Sequence, residues 1–154
     1  MRRLVDLGLE REGALVLGPR PDPAAEVTGL SVDSRLTRPG HLFAGLKGAR
    51  MDGAAFIPYA QRMGATAALA TLDGALRARE AMGGLPIPVF THPDPRRLLA
   101  LAAARFHASQ PGAVVAVTGT AGKTSTASFA RQLWAARGRR AVNFGTAGVE
   151  GAAT

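Results

Sequence analysis

Apolar and polar positions change period several times along the chain, and each change marks an element. Residues 18–25 (GPRPDPAA) hold three prolines and read as an extended connector. Val27 to Val32 reads as a strand that runs into Asp33-Ser34-Arg35. Pro39-Gly40 is a turn signal, and the apolar run HLFAGL at 41–46 predicts a buried strand. Lys47-Gly48 opens a loop that ends at Asp52-Gly53. Phe56, Ala60 and Met63 then recur at i, i+4 and i+7 beside Ile57, which predicts a helix over 54–63. Gly64 suits the end of that helix. TAALAT (66–71) predicts the next strand, 73–82 a second helix and IPVFT (87–91) a short strand. Asp94 as N-cap, with Pro95 at the first helical position, opens a helix over 95–108 whose Leu99, Ala102, Ala103 and Phe106 share a face.

Ser109-Gln110-Pro111-Gly112 breaks that helix. The unbroken β-rich run VVAVT (114–118) predicts a strand buried on both faces. After GTAGKTS, a helix over 124–137 pairs Phe129 with Leu133 and Ala130 with Trp134 at i, i+4; Gly138 ends it, and RAVNFGT (140–146) predicts a further strand. Strands alternating with helices imply an α/β protein with a mainly parallel sheet. A domain boundary falls near 109–113.

Composition narrows the class. A chain of 154 residues, 47% apolar and 19% charged with a mean hydropathy of +0.08, is long enough for a real core and too apolar for disorder. No run approaches the ~18 apolar residues of a membrane span. Met1-Arg2-Arg3 is followed by Asp6 and Glu10, with no apolar stretch of signal-peptide length. Zero cysteines exclude a disulfide scaffold and a thiolate metal site. The expectation is a cytoplasmic protein without a membrane partner.

The net charge of +8 is unevenly spread: residues 95–154 hold eight basic groups against the single acid Glu150. Such a half suits a nucleic acid, a phosphorylated ligand or a domain whose acidic part lies elsewhere. With aromatics at 5% and no RNA or DNA motif, no nucleic-acid partner is expected.

A phosphorylated ligand has a specific candidate. In Thr118-Gly119-Thr120-Ala121-Gly122-Lys123-Thr124-Ser125, Gly119 and Gly122 let the backbone turn tightly and bring its N–H groups toward phosphate oxygens. The following helix start adds partial positive charge, Lys123 can reach the outer phosphates, and the Thr124 hydroxyl can ligate Mg²⁺. The full pattern G-x-x-x-x-G-K-[ST] needs Gly at 117, where Val117 stands. The chain has only Lys47 and Lys123 among its 19 basic residues, so a lysine at the phosphate position is not a product of its arginine-rich composition. The bland alternative is a glycine-containing turn between strand and helix.

TGTAGKTS resembles the ATP loop of the Mur ligase family, which reads T-G-T-x-G-K-T-[ST] without the distant first glycine. Upstream, VDSR (32–35), PGHLFAGLKG (39–48), DGAAFIPYA (52–60) and GATAAL (64–69) resemble the N-terminal domain of the family's ligases that add the third amino acid or the terminal dipeptide. FGTAGVEG (144–151) is similar to a G-T-x-G segment of the third-residue ligases. The resemblance implies an N-terminal extension over 1–26, an α/β UDP-sugar-binding domain over 27–110, and over 111–154 the first βαβ unit of a P-loop-type ATP-binding domain. It implies that Val32 and Ser34 contact the UDP-sugar and that Ala49, Arg50 and Met51 line the uridine site. Gly119, Thr120, Ala121, Gly122, Lys123, Thr124 and Ser125 would bind ATP, with Lys123 catalytic and Thr124 on the metal. Ala121 stands where the family often has Asn, which removes a side-chain hydrogen bond but no backbone donor.

The activity so implied is ATP- and Mg²⁺-dependent ligation in peptidoglycan precursor synthesis. A third amino acid, diaminopimelate or lysine, would join UDP-N-acetylmuramoyl-L-Ala-D-Glu through an acyl phosphate. Two alternatives stay open: the sister ligase that adds D-alanyl-D-alanine, and a non-catalytic nucleotide-binding module. Glu150 is the only acid after Lys123, and nothing in 113–154 matches the family's metal carboxylate, carbamylated lysine or amino-acid-binding domain. The chain therefore reads as an N-terminal fragment, inactive alone.

Other polar residues have structural readings. Asp33 and Arg35 suit a cap and a surface ion pair, and Asp52 suits a helix N-cap as well as a ligand. His41, His92 and His107 lack metal-ligand spacing, and Trp134 sits at core spacing on its helix.

Overall fold

Four short strands pair in parallel and in sequence order: β4 (Gly29–Ser31), β5 (His41–Ala44), β6 (Ala67–Ala70) and β7 (Val89–Thr91). β2 (Leu15–Leu17) joins antiparallel to β7, giving the order β2-β7-β6-β5-β4. Each parallel connection carries helix: the 3-10 turn Ser34–Leu36, the turn Gly53–Phe56 with α1 (Ile57–Arg62), and α2 (Leu72–Met82). α3 (Pro95–His107) follows β7. This is a mixed α/β fold with a parallel-rich sheet. The computed structural model describes residues 1–49, 51–146 and 148–151 and divides into two units, residues 1–110 and 111–154.

The strand period of two sorts the core of the first unit. Leu42, Ala44, Ala67, Leu69 and Phe90 pack on one face with Leu98 and Ala102 of α3. Phe43, Ala68, Ala70 and Val89 face the other way, onto Ala54, Ile57 and Ala60 and onto Ala75 and Ala78 of α2. Both faces are covered, as parallel pairing requires, and the strands accordingly read as apolar runs. Local capping agrees with the sequence: the Asp94 carboxylate accepts from Arg97 N–H at 3.0 Å with Pro95 in the first turn, and the Thr71 hydroxyl accepts from Gly74 N–H at 3.1 Å.

Residues 1–26, read from sequence as an extension, are built into this unit. β1 (Arg2–Arg3) pairs with β3 (Glu26–Val27), β2 edges the main sheet, and Leu4, Leu7, Leu9 and Ala14 are buried. Arg105 of α3 fastens the segment, donating to the Leu7 carbonyl at 2.9 Å and pairing with Glu12. That bond holds the Glu12 carboxyl below its ordinary range.

The second unit departs from the expected βαβ order. α4 (Lys123–Ala136) forms, but 114–118 is no strand, with Val114 and Val115 exposed at 81% and 79%. β8 (Asn143–Gly145) pairs antiparallel with β9 (Gly148–Glu150) in a hairpin. A strand needs a neighbour for its N–H and C=O groups, and among the described residues none pairs with 114–118. The apolar face of α4 is likewise open, with Phe129, Leu133 and Trp134 exposed and Arg139 lying over the Trp134 ring at 5.5 Å. The core role expected of Trp134 is not seen.

Candidate functional site

Parallel strands point their carboxyl ends to one edge, and the loops leaving them form the crevice where open α/β sheets take ligands. Here the loops after β4 and β5 enclose a groove of about 460 Å³ lined by Val32, Asp33, Ser34, Arg35, Leu46, Met51, Gly53 and Phe56. The structure thus brings together Val32, Ser34 and Met51 of the uridine-site candidates. Ala49 is exposed on the same loop and does not line the groove, and Arg50 lies outside the described residues. Ser34 is buried, yet among the described residues its hydroxyl has no hydrogen-bond partner and so is free to bond a ligand. Its neighbours are satisfied: Ser31 and Thr37 bond each other at 2.9 Å.

Asp33 and Arg35 take the structural role. The Asp33 carboxylate caps the 3-10 turn, accepting from Arg35 N–H at 2.9 Å, and pairs with the guanidinium at 2.6 Å. The guanidinium bond first, and the backbone bond second, hold this carboxyl down to about 2. The pair stabilises the turn fully above the ordinary carboxylate value and loses that contribution as pH falls through about 2. An NMR titration should place the Asp33 midpoint near 2, and Arg35→Gln should return it toward 3.8; a parent midpoint at 3.8 refutes the pairing.

Sequence reasoning missed Leu46, Gly53 and Phe56 as groove residues. For Leu46 and Gly53 the signal was present in the loop bounds, since they flank the segment 47–52, whereas Phe56 ends the turn that follows. Asp52 acts as an N-cap, accepting from Ala54 N–H at 3.0 Å, and also pairs with Arg77 at 2.6 Å.

In the second unit Gly122 adopts a left-handed conformation, with φ 75°, at the N-cap of α4. It offers no side-chain cap, so the N–H groups opening the helix remain available to an anion. Gly119 to Ser125 are all exposed. The Lys123 ammonium folds back on the loop, donating to the Gly119 carbonyl and, at 3.4 Å, to that of Thr120. Glu150 accepts from Ser128 and Asn143, each at 3.3 Å, which leaves it engaged away from the loop.

For a metal, Thr124 is the candidate ligand, and one hydroxyl does not make a site. Among the described residues no three His, Cys, Asp or Glu side chains cluster. The histidines are dispersed: His92 Nδ1 accepts from Asp94 N–H at 2.9 Å, His107 packs edge-on to Phe106, and burial lowers the pKa of His41. The donor set fits Mg²⁺ only as a companion of phosphate oxygens.

A parallel-rich α/β unit with a strand-end groove, and a second unit whose helix opens on G-K-T, set the class of protein. Comparison with known proteins sets the family. The model of the Mur ligase family, catalytic domain, matches residues 26–130. The chain belongs to the Mur ligase family. It is 49% identical over 133 residues to the UDP-N-acetylmuramoyl-L-alanyl-D-glutamate--2,6-diaminopimelate ligase of Brucella melitensis biotype 1, covering 86% of this chain and 26% of that protein. Ligases of the same name from Mesorhizobium japonicum and Streptomyces coelicolor are 49% and 47% identical, over 80% and 70% of this chain and 24% and 21% of theirs. The chain thus spans about a quarter of the length of the curated relatives it matches.

Proposed function

We propose that this chain supplies the uridine-nucleotide and ATP sites of a ligase that joins diaminopimelate to UDP-N-acetylmuramoyl-L-alanyl-D-glutamate. One observation carries the reading: the groove at Ser34 and the G-K-T helix start both lie within the family match. The names of the relatives support the amino acid and the UDP-linked acceptor. On this reading residues 27–110, with 1–26 joined to them, take the UDP-sugar, and 111–154 begin the ATP-binding domain.

Within the groove, the Ser34 hydroxyl bonds the uridine portion and Val32 and Met51 pack against it. In the second unit, the backbone of Gly119, Thr120, Ala121 and Gly122 and the first N–H groups of α4 hold the phosphates, while Ser125 adds a hydroxyl. Lys123 leaves its loop carbonyls and stabilises charge on the outer phosphate as it passes to the substrate carboxylate. Mg²⁺, held by the Thr124 hydroxyl together with the nucleotide, supplies charge neutralisation when bound. The protein would work in the cytoplasm; no described helix is long and apolar enough to cross a membrane.

The test is a pair of titrations, of UDP-N-acetylmuramoyl-L-alanyl-D-glutamate and of ATP, on the parent chain and on Ser34→Ala. Loss of one hydrogen bond should weaken the UDP ligand by about 0.5–1.5 kcal/mol and leave ATP unchanged. Equal UDP affinity in the two proteins would remove Ser34 from the site.

A further inference from the structure

We infer that Arg77 of α2 and Arg96 of α3 are positioning residues that clamp the two ends of the segment 47–52 and so fix one wall of the groove. The inference rests on the reading of that groove as the uridine site.

The segment leaves β5 and returns under its own backbone bonds. Lys47 and Asp52 form an antiparallel bridge, Gly48 N–H donates to the Met51 carbonyl at 2.9 Å, and Gly53 N–H donates to that of Leu46 at 3.0 Å. Its base is a close approach of backbones. A Cβ on Gly53 would stand 2.6 Å from the Leu46 carbonyl oxygen, and one on Gly45 would stand 2.8 Å from Ala54 N. The residues beside this base, Leu46, Met51 and Gly53, are groove-lining residues. Wherever the ends of the segment are held, that wall is held.

Two arginines from separate helices hold them. Arg96, in the first turn of α3, donates to the Lys47 carbonyl at 2.9 Å. Arg77 reaches from α2 to the Asp52 carboxylate at 2.6 Å, and its other amino group pairs with Asp73 one turn back. Asp73 thereby orients the guanidinium, and Asp73 foremost, with Asp52, raises its pKa above the ordinary arginine value. Gly74 admits the approach, since a Cβ there would meet the Ala54 Cβ at 2.7 Å and the Asp52 carboxylate at 3.1 Å. Asp52 thus has one oxygen on Ala54 N–H and the other on Arg77. Neither arginine lines the groove.

An exposed loop tied at both ends loses less conformational freedom when a ligand binds, so a clamp raises affinity without touching the ligand. Because Arg77 and Arg96 are exposed, each bond contributes little to global stability. This separates positioning from folding.

The test uses the full chain with UDP as ligand, in Arg77→Gln, Arg96→Gln, the double variant, the conservative Arg77→Lys, and Arg79→Gln as a control on the same helix. Each single Gln variant should weaken UDP about twofold to fivefold and the double variant more. Arg77→Lys should recover part of the loss, Arg79→Gln should match the parent, and the Tm should move little in any of them. Amide exchange at Gly48 and Gly53, the two donors that close the segment, should accelerate in the Gln variants while β6 stays protected. Unchanged exchange at these amides, or parent-level UDP affinity in the double variant, overturns the clamp. Absence of UDP binding by the parent overturns the groove reading instead, and accelerated exchange then still establishes the tether.

Discussion

Replacing Lys123 by Ala should lower ATP affinity about tenfold to hundredfold and leave UDP binding at the Ser34 groove unchanged. The size follows from the bond removed, a charge-assisted contact to a phosphate that no neighbouring side chain replaces. The ammonium already sits on the loop, bonded to the carbonyls of Gly119 and Thr120. Delivering it to a phosphate costs those two bonds but needs no refolding. Alanine is a strong helix former and Gly122 carries the N-cap, so α4 should persist in the variant by circular dichroism. Titration of ATP with the helix intact decides the matter. Retained ATP affinity would return the loop to a structural turn, and a parallel loss of UDP binding would mean that the two ligands share one site.

What the sequence makes legible here is what neighbours along the chain can decide. The strands β5 and β6 stand out because Leu42 to Ala44 and Ala67 to Ala70 are apolar on both faces, and Asp94-Pro95 announces α3 at its first residue. The meeting of Val32, Ser34 and Met51 follows from strand order, since β4 and β5 are adjacent and parallel. Pairings decided far along the chain are not legible. Residues 15–17 become a strand only because β7, more than seventy residues later, takes their backbone bonds. The roles of Arg77 and Arg96 toward the segment 47–52 depend on where two separate helices deliver them. The opposite error occurs at 114–118, where an apolar β-rich run is read as a strand although no described segment pairs with it. Propensity states that a run suits a sheet; it does not provide the sheet.

Phe43→Ala should destabilise the first unit by about 3–5 kcal/mol, toward the upper end of what core truncations cost. Phe43 is 1% exposed at the centre of β5, and its surroundings explain the size. Seven of the other nine buried residues in that cluster are alanines: Ala54, Ala60, Ala65, Ala68, Ala70, Ala75 and Ala78. One phenyl ring, with Ile57 and Val89 and with the partly buried Leu17, Met82, Leu85 and Ile87 packed against the cluster, fills the space between a sheet and two helices whose other buried side chains here are single methyls. Alanines have no rotamer through which to move into a void, and the backbones of Ala60, Ala68, Ala70, Ala75 and Ala78 are held in α1, β6 and α2. The cavity would therefore stay open instead of collapsing, the condition under which truncation is most costly. The readout is hydrogen exchange at the β6 amides of Ala68 and Leu69, buried in the middle strand of the sheet, where core-strand exchange is expected to report the stability of the unit. Phe129→Ala, on a side chain 62% exposed in the second unit, is the control and should leave those amides unchanged. A loss below about 1.5 kcal/mol at β6 would mean that the alanine layer closes over the missing ring, and the rigid-layer account of this core would be wrong.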